Sequence, residues 1–460
     1  MIWISKWIEP RIQISEDRKI FNNDYLKKLI LPLFIEQFLV MLVGISDTLM
    51  VSYAGEAAVS GVSLVNMFIT IFIYIFTALA SGGAVVVSQA IGRKDRNLTD
   101  LVASQLVTLS GVISIFSMIV TLLTRDLILG WLFGSVEPAV MNASITYLTI
   151  MTYTFPAIAI YNAGAALFRS MGRTKSTMHI SLWMNAINIV GNYIGVFILK
   201  AGVAGVAWPT FISRVFAAAV IIFWCFNEKQ EVTLRIKQIL SWHSDMMKRI
   251  LRIAIPNSIE QGLFQVSKVV LSSITALFGT SQIAANGVAQ SFWSMAALVG
   301  VSFGPAFITI IGQTLGSKDI EAAKYYMIKL LKITLLSSVI WNIIMLIIVP
   351  FILMAYDLSP ETKQLIIVLV IIHNVFNAFV FPISSPFTNG IRAAGDVKYT
   401  MYSSIFATVI MRVVLSYLFG IVFNLGVIGI ALAMGLDWCI RAILSFRRFQ
   451  SGRWLSHQVL

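Results

Sequence analysis

A few polar residues interrupt segments of this chain that are otherwise apolar, and three of them have the types and spacing of an ion site. Asp47 lies fifteen residues after Pro32, or about 22 Å along a helix that rises 1.5 Å per residue. Asn188 and Asn192 are spaced i and i+4, which places both amides on one helix face. A carboxylate at that depth could bind and release a proton or hold a sodium ion, and two amides on one helix face could bind a cation through their oxygens.

Each of these residues also has a structural interpretation. Gly55 follows Asp47 closely, so the carboxylate could form a helix cap or a hydrogen bond near the end of its segment. Asn188 precedes GNYIG (191–195) and Asn192 lies within it, so helices could pack closely at its glycines and the amides could bridge them. Both interpretations stay open from the residues alone.

The composition places these residues in a membrane protein. The chain is 58% hydrophobic and 12% charged, with a mean hydropathy of +0.85, whereas soluble domains carry about 25% charged residues. Apolar stretches of about 20 residues recur along the chain, and each is long enough to cross a bilayer as a helix. Twelve such stretches predict an all-α polytopic membrane protein.

The charge distribution predicts the orientation in the membrane. The net charge is +13, but it does not indicate nucleic acid binding because Lys and Arg concentrate in the termini and in alternate loops. The opposite loops hold only Arg125, Lys200 and Lys363. This asymmetry predicts a plasma (inner) membrane protein with both termini in the cytoplasm.

The chain consists of two similar halves. Pro-x-x-Ile-Glu-Gln begins at Pro32 and again at Pro256, 224 residues later, and QAIGRKD at 89–95 matches QTLGSKD at 313–319 at the same offset. These matches predict a duplicated unit of six spans, whose copies form two pseudo-symmetric lobes related by an axis along the membrane normal. Two such lobes are expected to enclose a cleft, although a rigid channel or structural bundle would fit the same repeat.

The spans and the repeat together predict five segments. The first lacks a continuous apolar core, so it is expected to lie on the membrane rather than to act as a cleaved signal. The segments are an amphipathic cytoplasmic stretch at 1–25, a first lobe at 26–226, a cytoplasmic linker at 227–247, a second lobe at 248–446 and a basic tail at 447–460.

The Glu-Gln pair of the repeat occurs in both halves, as Glu36 with Gln37 and as Glu260 with Gln261. Each pair lies about one helical turn beyond a proline, where polar side chains can satisfy freed backbone groups. Because both halves carry it, the pair is expected to have a shared structural or gating role rather than to capture a cation.

Basic residues occur inside two spans of the second half, at positions where the first half is uncharged. Lys268 and Arg412 could bind an anionic group of a ligand, or they could pair with Glu260 or Asp437.

Other residues inside the spans have expected roles as well. Arg214 is expected to take part in structural ion pairing, as is Arg441 with Asp437 four residues earlier. Three pliable apolar residues are candidate contacts for varied ligands, although packing alone would explain them equally well. These are Met184, Phe292 and Met295.

The sequence contains no pattern typical of an enzyme. It has no nucleophile–base arrangement, metal-ligand spacing or phosphate loop, and its four histidines are scattered. We therefore expect no catalysis, no cofactor and no resident metal other than a possible sodium ion at Asp47. Any work done by the protein would come from an ion gradient rather than from ATP.

The motifs resemble those of the multidrug and toxic compound extrusion (MATE) family, and within it the DinF-like branch. The matching stretches are Pro32, IEQ at 35–37, DTLMVSYAGEAAVSGVSLV at 47–65, QAIGRKD at 89–95 and ALFRSMGRTK at 166–175. The resemblance implies twelve helices in two lobes. It also implies export of organic compounds driven by inward flow of protons or sodium ions.

The resemblance also implies roles for individual residues. It makes Asp47 the cation-responsive group, and it aligns Asn188 and Asn192 with a family motif that reads Asn-x-x-x-Asp, so this site is one charge poorer. A NorM-like branch binds sodium through acids on spans seven and ten. Here Phe264 takes the first of those places, and the tenth span has no acid, so that sodium site is expected to be absent; the polar residues of the tenth span are His373, Asn374 and Asn377.

We therefore expect a monomeric antiporter, surrounded by lipid, that is coupled to H⁺ or Na⁺ and exports small organic, cationic or amphipathic compounds. One alternative is a flippase for lipid-linked precursors, which Lys268 and Arg412 keep open. Another is a non-transporting scaffold or receptor, which would need no carboxylate within the membrane.

Overall fold

Every regular element in the described part of the chain is helical. A computed structural model describes residues 7–12, 14–134, 136–356, 358–457 and 459, and none of these residues lies in a β-strand. The first half contains α1 (Asn23–Ser52), α2 (Glu56–Gly92), α3 (Arg96–Phe133), α4 (Pro138–Tyr153), α5 (Phe155–Ser170), α6 (Thr174–Tyr193) and α7 (Ala204–Cys225).

The short α8 (Ile236–Leu240) precedes the helices of the second half. These are α9 (Ser244–Ala276), α10 (Thr280–Ala296), α11 (Leu298–Gly316), α12 (Ile320–Met354), α13 (Pro360–Phe379), α14 (Phe381–Ser384), α15 (Pro386–Ala393), α16 (Val397–Ser404), α17 (Arg412–Tyr417) and α18 (Gly426–Gln450). Stretches of π-helix follow α6, α16 and α17, at Ile194–Ile198, Ile405–Met411 and Leu418–Val422.

The number and composition of the helices describe a multi-pass membrane protein. Among the described residues, ten helical segments are long and apolar enough to cross a membrane, and α4 with α5, which meet at a bend of 43°, form an eleventh. The remaining predicted span is α9, a helix of 33 residues whose apolar run is interrupted by Glu260 and Lys268. The all-α polytopic fold is thereby confirmed. The polar residues of α9 make it less apolar than the helices counted above.

The two halves repeat each other in backbone detail. Lys94 and Lys318 both adopt the left-handed conformation, with φ of 58° and 62°. The next residue caps the following helix in each half: the Asp95 and Asp319 carboxylates accept hydrogen bonds from the backbone N–H three residues on, at 3.0 and 2.9 Å. Positive φ also recurs in glycines at almost the same offset, at Gly55 and Gly279, Gly172 and Gly395, and Gly202 and Gly426.

Glycines set the closest helix crossing in each half. A Cβ atom on Gly205 would lie 2.6 Å from the Gly195 carbonyl oxygen, so α7 touches the end of the α6 segment backbone to backbone. In the second half, a Cβ atom on Gly429 would lie 2.6 Å from the backbone nitrogen of Gly420. Small residues that let helices approach in this way are typical of packing inside membranes.

The chain divides into two compact units. One consists of Lys27–Ser258, and the other of Met1–Leu26 with Ile259–Leu460. The core of the first unit includes Val65, Phe155 and Ala207, and a core cluster of the second includes Phe292 and Leu369. The stretch at 227–247 therefore lies in the compact unit of the first half, and the N-terminal stretch lies in that of the second.

Contacts of the two stretches that precede α1 and α9 explain this assignment. In the stretch before α9, the Arg235 guanidinium donates to the Asp100 carboxylate of α3 at 2.8 Å. In the stretch before α1, Arg18 makes two hydrogen bonds to Asp319, which caps α12, with Nε to Oδ2 at 2.8 Å. Each stretch thus leads into one repeat and packs on the third span of the other.

The Gly205 crossing predicts a specific loss of stability. Gly205→Ala would place a methyl group against backbone that cannot rotate away, so α6 and α7 must separate, at a cost of about 1–3 kcal/mol. Gly111→Ala is the control because a Cβ atom there meets nothing within 4 Å, and a helical alanine is favoured over glycine. Thermal unfolding of the detergent-solubilised protein should show a lower midpoint for Gly205→Ala alone; equal midpoints would refute the close crossing.

The Arg18–Asp319 pair predicts a pH-dependent attachment of the N-terminal stretch. The hydrogen bonds from the Arg18 guanidinium hold the pKa of Asp319 below its ordinary range. The pair's contribution is therefore fully present above the ordinary Asp pKa of about 3.9, and it is lost as pH falls through the lowered value. At neutral pH, Arg18→Ala should speed amide hydrogen exchange at residues 14–22 severalfold.

Arg11→Ala is the matched control for this measurement, because Arg11 is exposed on the same stretch. The difference in exchange rate between the two variants should disappear only at a pH below the ordinary pKa of an aspartate. Equal exchange in both variants at neutral pH would show that the ion pair does not hold the stretch.

Candidate functional site

A cavity of about 170 Å³ lies within the first unit, between α1, α2, α4 and α7. Its wall is apolar over one part and carries polar groups over another. The apolar lining is Val51, Val59, Val62, Ile69, Ile73, Met151 and Val206. The remaining lining residues are Gly44, Asp47, Thr48, Ser63, Asn66, Tyr147, Thr210 and Arg214. Such a wall suits a ligand with a hydrophobic body and a charged or polar end.

Asp47 is the acid in this lining, and it is tied to α6 by a chain of hydrogen bonds. The Asn192 amide donates from Nδ2 to Asp47 Oδ1 at 2.6 Å and also to Asn188 Oδ1 at 3.3 Å. Asn188 in turn donates to the Thr210 hydroxyl at 3.0 Å. The structure therefore brings together the three residues singled out by type and spacing, with Asp47 half-buried and both asparagines buried.

Arg214 of α7 lines the same cavity, and sequence analysis assigned it to structural ion pairing. Its guanidinium donates from Nη1 to the Thr154 hydroxyl, at the bend between α4 and α5, at 3.0 Å. No carboxylate oxygen of the described residues forms an ion pair with it. Arg214 therefore lines the cavity together with Asp47 and is positioned by a neutral hydroxyl, and its structural ion pairing stays a prediction.

Two further cavity residues were missed by sequence analysis. The Tyr147 hydroxyl of α4 donates to Asn66 Oδ1 of α2 at 3.2 Å. Both are polar residues in the middle of apolar segments, which was the available signal. Their joint position could not be read from spacing, because they lie 81 residues apart on different helices.

The two glutamates of the repeated motif lie in equivalent ion pairs, and neither is among the residues that line the cavity. Arg169 donates to Glu36 at 2.5 Å, and Thr177 donates to the other oxygen of Glu36 at 3.0 Å. Arg392 donates to both oxygens of Glu260, at 2.6 and 2.5 Å. The same side-chain pair therefore joins the same two segments in each half.

The basic residues of the second half have different surroundings from each other. Arg412 is buried and paired with Asp437 of α18, with Nε to Oδ2 at 2.5 Å. The predicted pair between Asp437 and Arg441 is wrong, because Arg412 reaches the carboxylate from the neighbouring helix segment. Lys268 is exposed, and its ammonium lies 4.9 Å from the centre of the Phe264 ring.

The polar residues of α13 are buried and point in part toward α12. Asn377 donates to Asn342 Oδ1 at 3.2 Å, and Asn374 donates to the Asn342 carbonyl at 3.5 Å. His373 is 1% exposed and is one of the buried side chains with no hydrogen-bond partner in the described part of the chain. Over the same residues, no group of three or more His, Cys, Asp or Glu side chains could hold a metal ion.

The remaining candidates lie outside this cavity lining. Phe292 is buried in the apolar core of the second half, and Met295 packs against that core while its carbonyl accepts a hydrogen bond from Trp341 at 2.9 Å. Met184, Gln37 and Gln261 are partly exposed. Their roles as cleft or gating residues stay predictions.

Known proteins share both the sequence pattern and the fold. YisQ of Bacillus subtilis, described as an uncharacterized transporter, is 28% identical over 434 residues, which cover 92% of this chain and 93% of that protein. A probable multidrug resistance protein NorM of Thermotoga maritima is 25% identical over 458 residues, covering 98% and 96%. The solved outward-facing structure of a multidrug resistance MATE family transporter superposes with a TM-score of 0.88 at 20% identity, covering 96% of this chain and 99% of that one.

The family model MatE matches two stretches, residues 32–194 and 256–418. They begin at the two prolines of the internal repeat and together span more than half of the chain. The likeness to the solved structure shows the same fold, and the doubled match confirms both the duplication and the resemblance to the family, while the DinF-like branch stays a prediction. The chain therefore belongs to the MatE family of multi-pass membrane transporters.

Proposed function

We propose that this protein is an antiporter that exports small organic compounds in exchange for inward flow of H⁺ or Na⁺. The observation that carries the proposal is the position of Asp47: a carboxylate lines a partly apolar cavity and is held by a neutral amide. The residue 224 positions later is Leu271, so the acid is not part of the duplicated scaffold. The name of the Thermotoga maritima relative, a probable multidrug resistance protein, supports organic compounds as the cargo.

The Asn192 amide gives Asp47 two arrangements that differ by one proton. The ionised carboxylate accepts a hydrogen bond from Asn192 Nδ2, whereas a protonated carboxyl can donate one. Asn192 Oδ1 is buried and has no hydrogen-bond partner among the residues that the structure describes, so rotation of the amide would offer an acceptor to the new donor. Uptake of a proton at Asp47 would in this way be transmitted to α6, and a sodium ion could use the same oxygens.

The driving force is adequate for export of this kind. A tenfold concentration gradient corresponds to about 1.4 kcal/mol, and one charge crossing about 100 mV yields about 2.3 kcal/mol. One ion can therefore support modest accumulation of a neutral compound. Exchange of one proton for a monovalent cation moves no net charge, so only the pH difference would drive it.

The proposal includes a location and a set of partners. The excess of Lys and Arg in the termini and alternate loops supports a plasma membrane protein whose two ends lie in the cytoplasm. We propose that the protein works as a monomer surrounded by lipid, since the residues of one chain are enough to form the cavity.

A flippase for lipid-linked precursors is the second candidate, and Lys268 is the observation that favours it. The ammonium is exposed and is placed beside Phe264 rather than in an ion pair within the described residues. Arg412, the other basic residue, is neutralised by Asp437. One free cation offers a weaker site for a phosphate headgroup than two, so export of small compounds is the better-supported function.

The proposed exchange predicts loss of gradient-driven transport when Asp47 cannot ionise. In inverted membrane vesicles, uptake of a cationic dye should rise when a pH or a sodium gradient is imposed, and the effective gradient identifies the coupling ion. Asp47→Asn should reduce this uptake at least tenfold, because an amide neither binds a proton nor balances a cation. Asp126→Asn is the matched control, since Asp126 is exposed and pairs with Arg125.

Two outcomes would contradict the proposal. If dye uptake by the Asp47→Asn variant were undiminished, the coupling ion would not bind at Asp47. Uptake that no gradient affects in the unmodified protein would favour a flippase or a non-transporting scaffold.

A further inference from the structure

Two opposite charges line one cavity in the first unit without forming an ion pair with each other. Asp47 of α1 and Arg214 of α7 both belong to its wall. The Asp47 carboxylate accepts one hydrogen bond, from Asn192, and the Arg214 guanidinium donates to the Thr154 hydroxyl. Neither forms an ion pair with the other or with another described side chain, so each charge is free to meet a ligand.

The Arg214 guanidinium is held in place, but most of its N–H donors form no hydrogen bond within the described residues. Arginine carries five N–H donors, and the recorded hydrogen bond uses one of them, at 3.0 Å to Thr154 Oγ1. Thr154 is itself fixed, because its hydroxyl donates to the Met151 carbonyl at 2.6 Å. The remaining donors form the planar fork that matches a carboxylate or phosphate.

Arg412 of the second half is a buried guanidinium whose charge is met by an acid. It is 4% exposed and is paired with Asp437 at 2.5 Å, and Thr408 donates to the other oxygen of that acid at 3.2 Å. Placing a charge away from water without such a partner costs free energy. Arg214 carries that cost at the edge of a cavity, which an anionic ligand group would offset.

The net charge of the cavity favours a particular kind of ligand. With Asp47 ionised, the two charges cancel, so a simple cation is attracted by the carboxylate and repelled by the guanidinium. A compound that carries both signs is attracted at both ends. The apolar wall, which includes Ile69, Ile73 and Met151, can contact the body of such a compound.

Resting on the proposed export function, we propose that this cavity selects zwitterionic compounds, with the cationic group at Asp47 and a carboxylate or other anionic group at Arg214. The volume of about 170 Å³ is below the range of about 300–1,000 Å³ that is usual for drug-sized ligands. It accepts a compound of amino-acid size, or the charged end of a larger one. Arg214 is then the residue that determines specificity for the anionic group.

The test compares two dyes that differ in one charge. A rhodamine with a free benzoate is zwitterionic, and the methyl ester of the same dye is a cation only. Fluorescence anisotropy of the purified protein should show tighter binding of the free acid to the unmodified protein. Arg214→Gln should weaken binding of the acid about tenfold and leave the ester unchanged or bound more tightly, whereas Arg214→Lys should retain part of the preference.

Arg125→Gln is the control for removal of a positive charge, because Arg125 is partly exposed and pairs with Asp126 outside the cavity lining. It should leave the preference unchanged. A preference for the ester in the unmodified protein, or equal loss of both dyes in Arg214→Gln, would overturn the proposal. Equal loss together with a lower unfolding temperature would assign Arg214 a structural role.

The binding measurement is independent of the proposed transport. If both dyes bind as expected and neither is moved by any imposed gradient, the antiport function fails while the zwitterion site stands. If the ester is exported but the acid gains nothing from Arg214, the site proposal fails while the antiport function stands.

Discussion

A charge inside hydrocarbon requires a partner, and the way this protein supplies partners organises the rest of the molecule. Glu36 is paired with Arg169, and Glu260 is paired with Arg392 in the other half. Arg412 is paired with Asp437. Pairing offsets much of the cost of keeping each charge away from water, and removal of one member would leave the other uncompensated. Asp47 is different: its recorded partner is the neutral amide of Asn192, so its charge is left for an ion or a ligand.

The duplication separates the scaffold from the site. What the halves share is framework: the left-handed Lys94 and Lys318, the aspartates that cap α3 and α12, and the glutamate–arginine pairs. What they do not share is the set of charges at equivalent depth. The first half has a cavity lined by Asp47 and Arg214, and the second half has the buried Arg412–Asp437 ion pair. Function is therefore expected where the two copies have diverged.

The sequence predicted those parts that depend on local spacing or on the repeat. Helix rise placed Asp47 deep in its span, and the i, i+4 rule placed Asn188 and Asn192 on one helix face. Their position beside Asp47 was implied by the resemblance to the family, because they lie on a helix that is distant in sequence. The role of Arg214 could not be predicted in this way, because the partner of an arginine is chosen by helices that are distant in sequence. The same reason explains Asp437, which has an arginine four residues away but is reached by Arg412 from another helix. The repeated motif at Pro256 identified α9 as a span, although its polar residues make it less apolar than the other spans.

The most direct test of the central claim is whether binding of a transported compound displaces an ion from Asp47. Calorimetric titration of the purified protein with an exported dye, repeated in buffers of different ionisation enthalpy and at different sodium concentrations, counts the ions released. The account predicts that one proton or one sodium ion leaves the unmodified protein for each dye bound, and that Asp47→Asn releases none. Equal release from both proteins, or none from either, would contradict it.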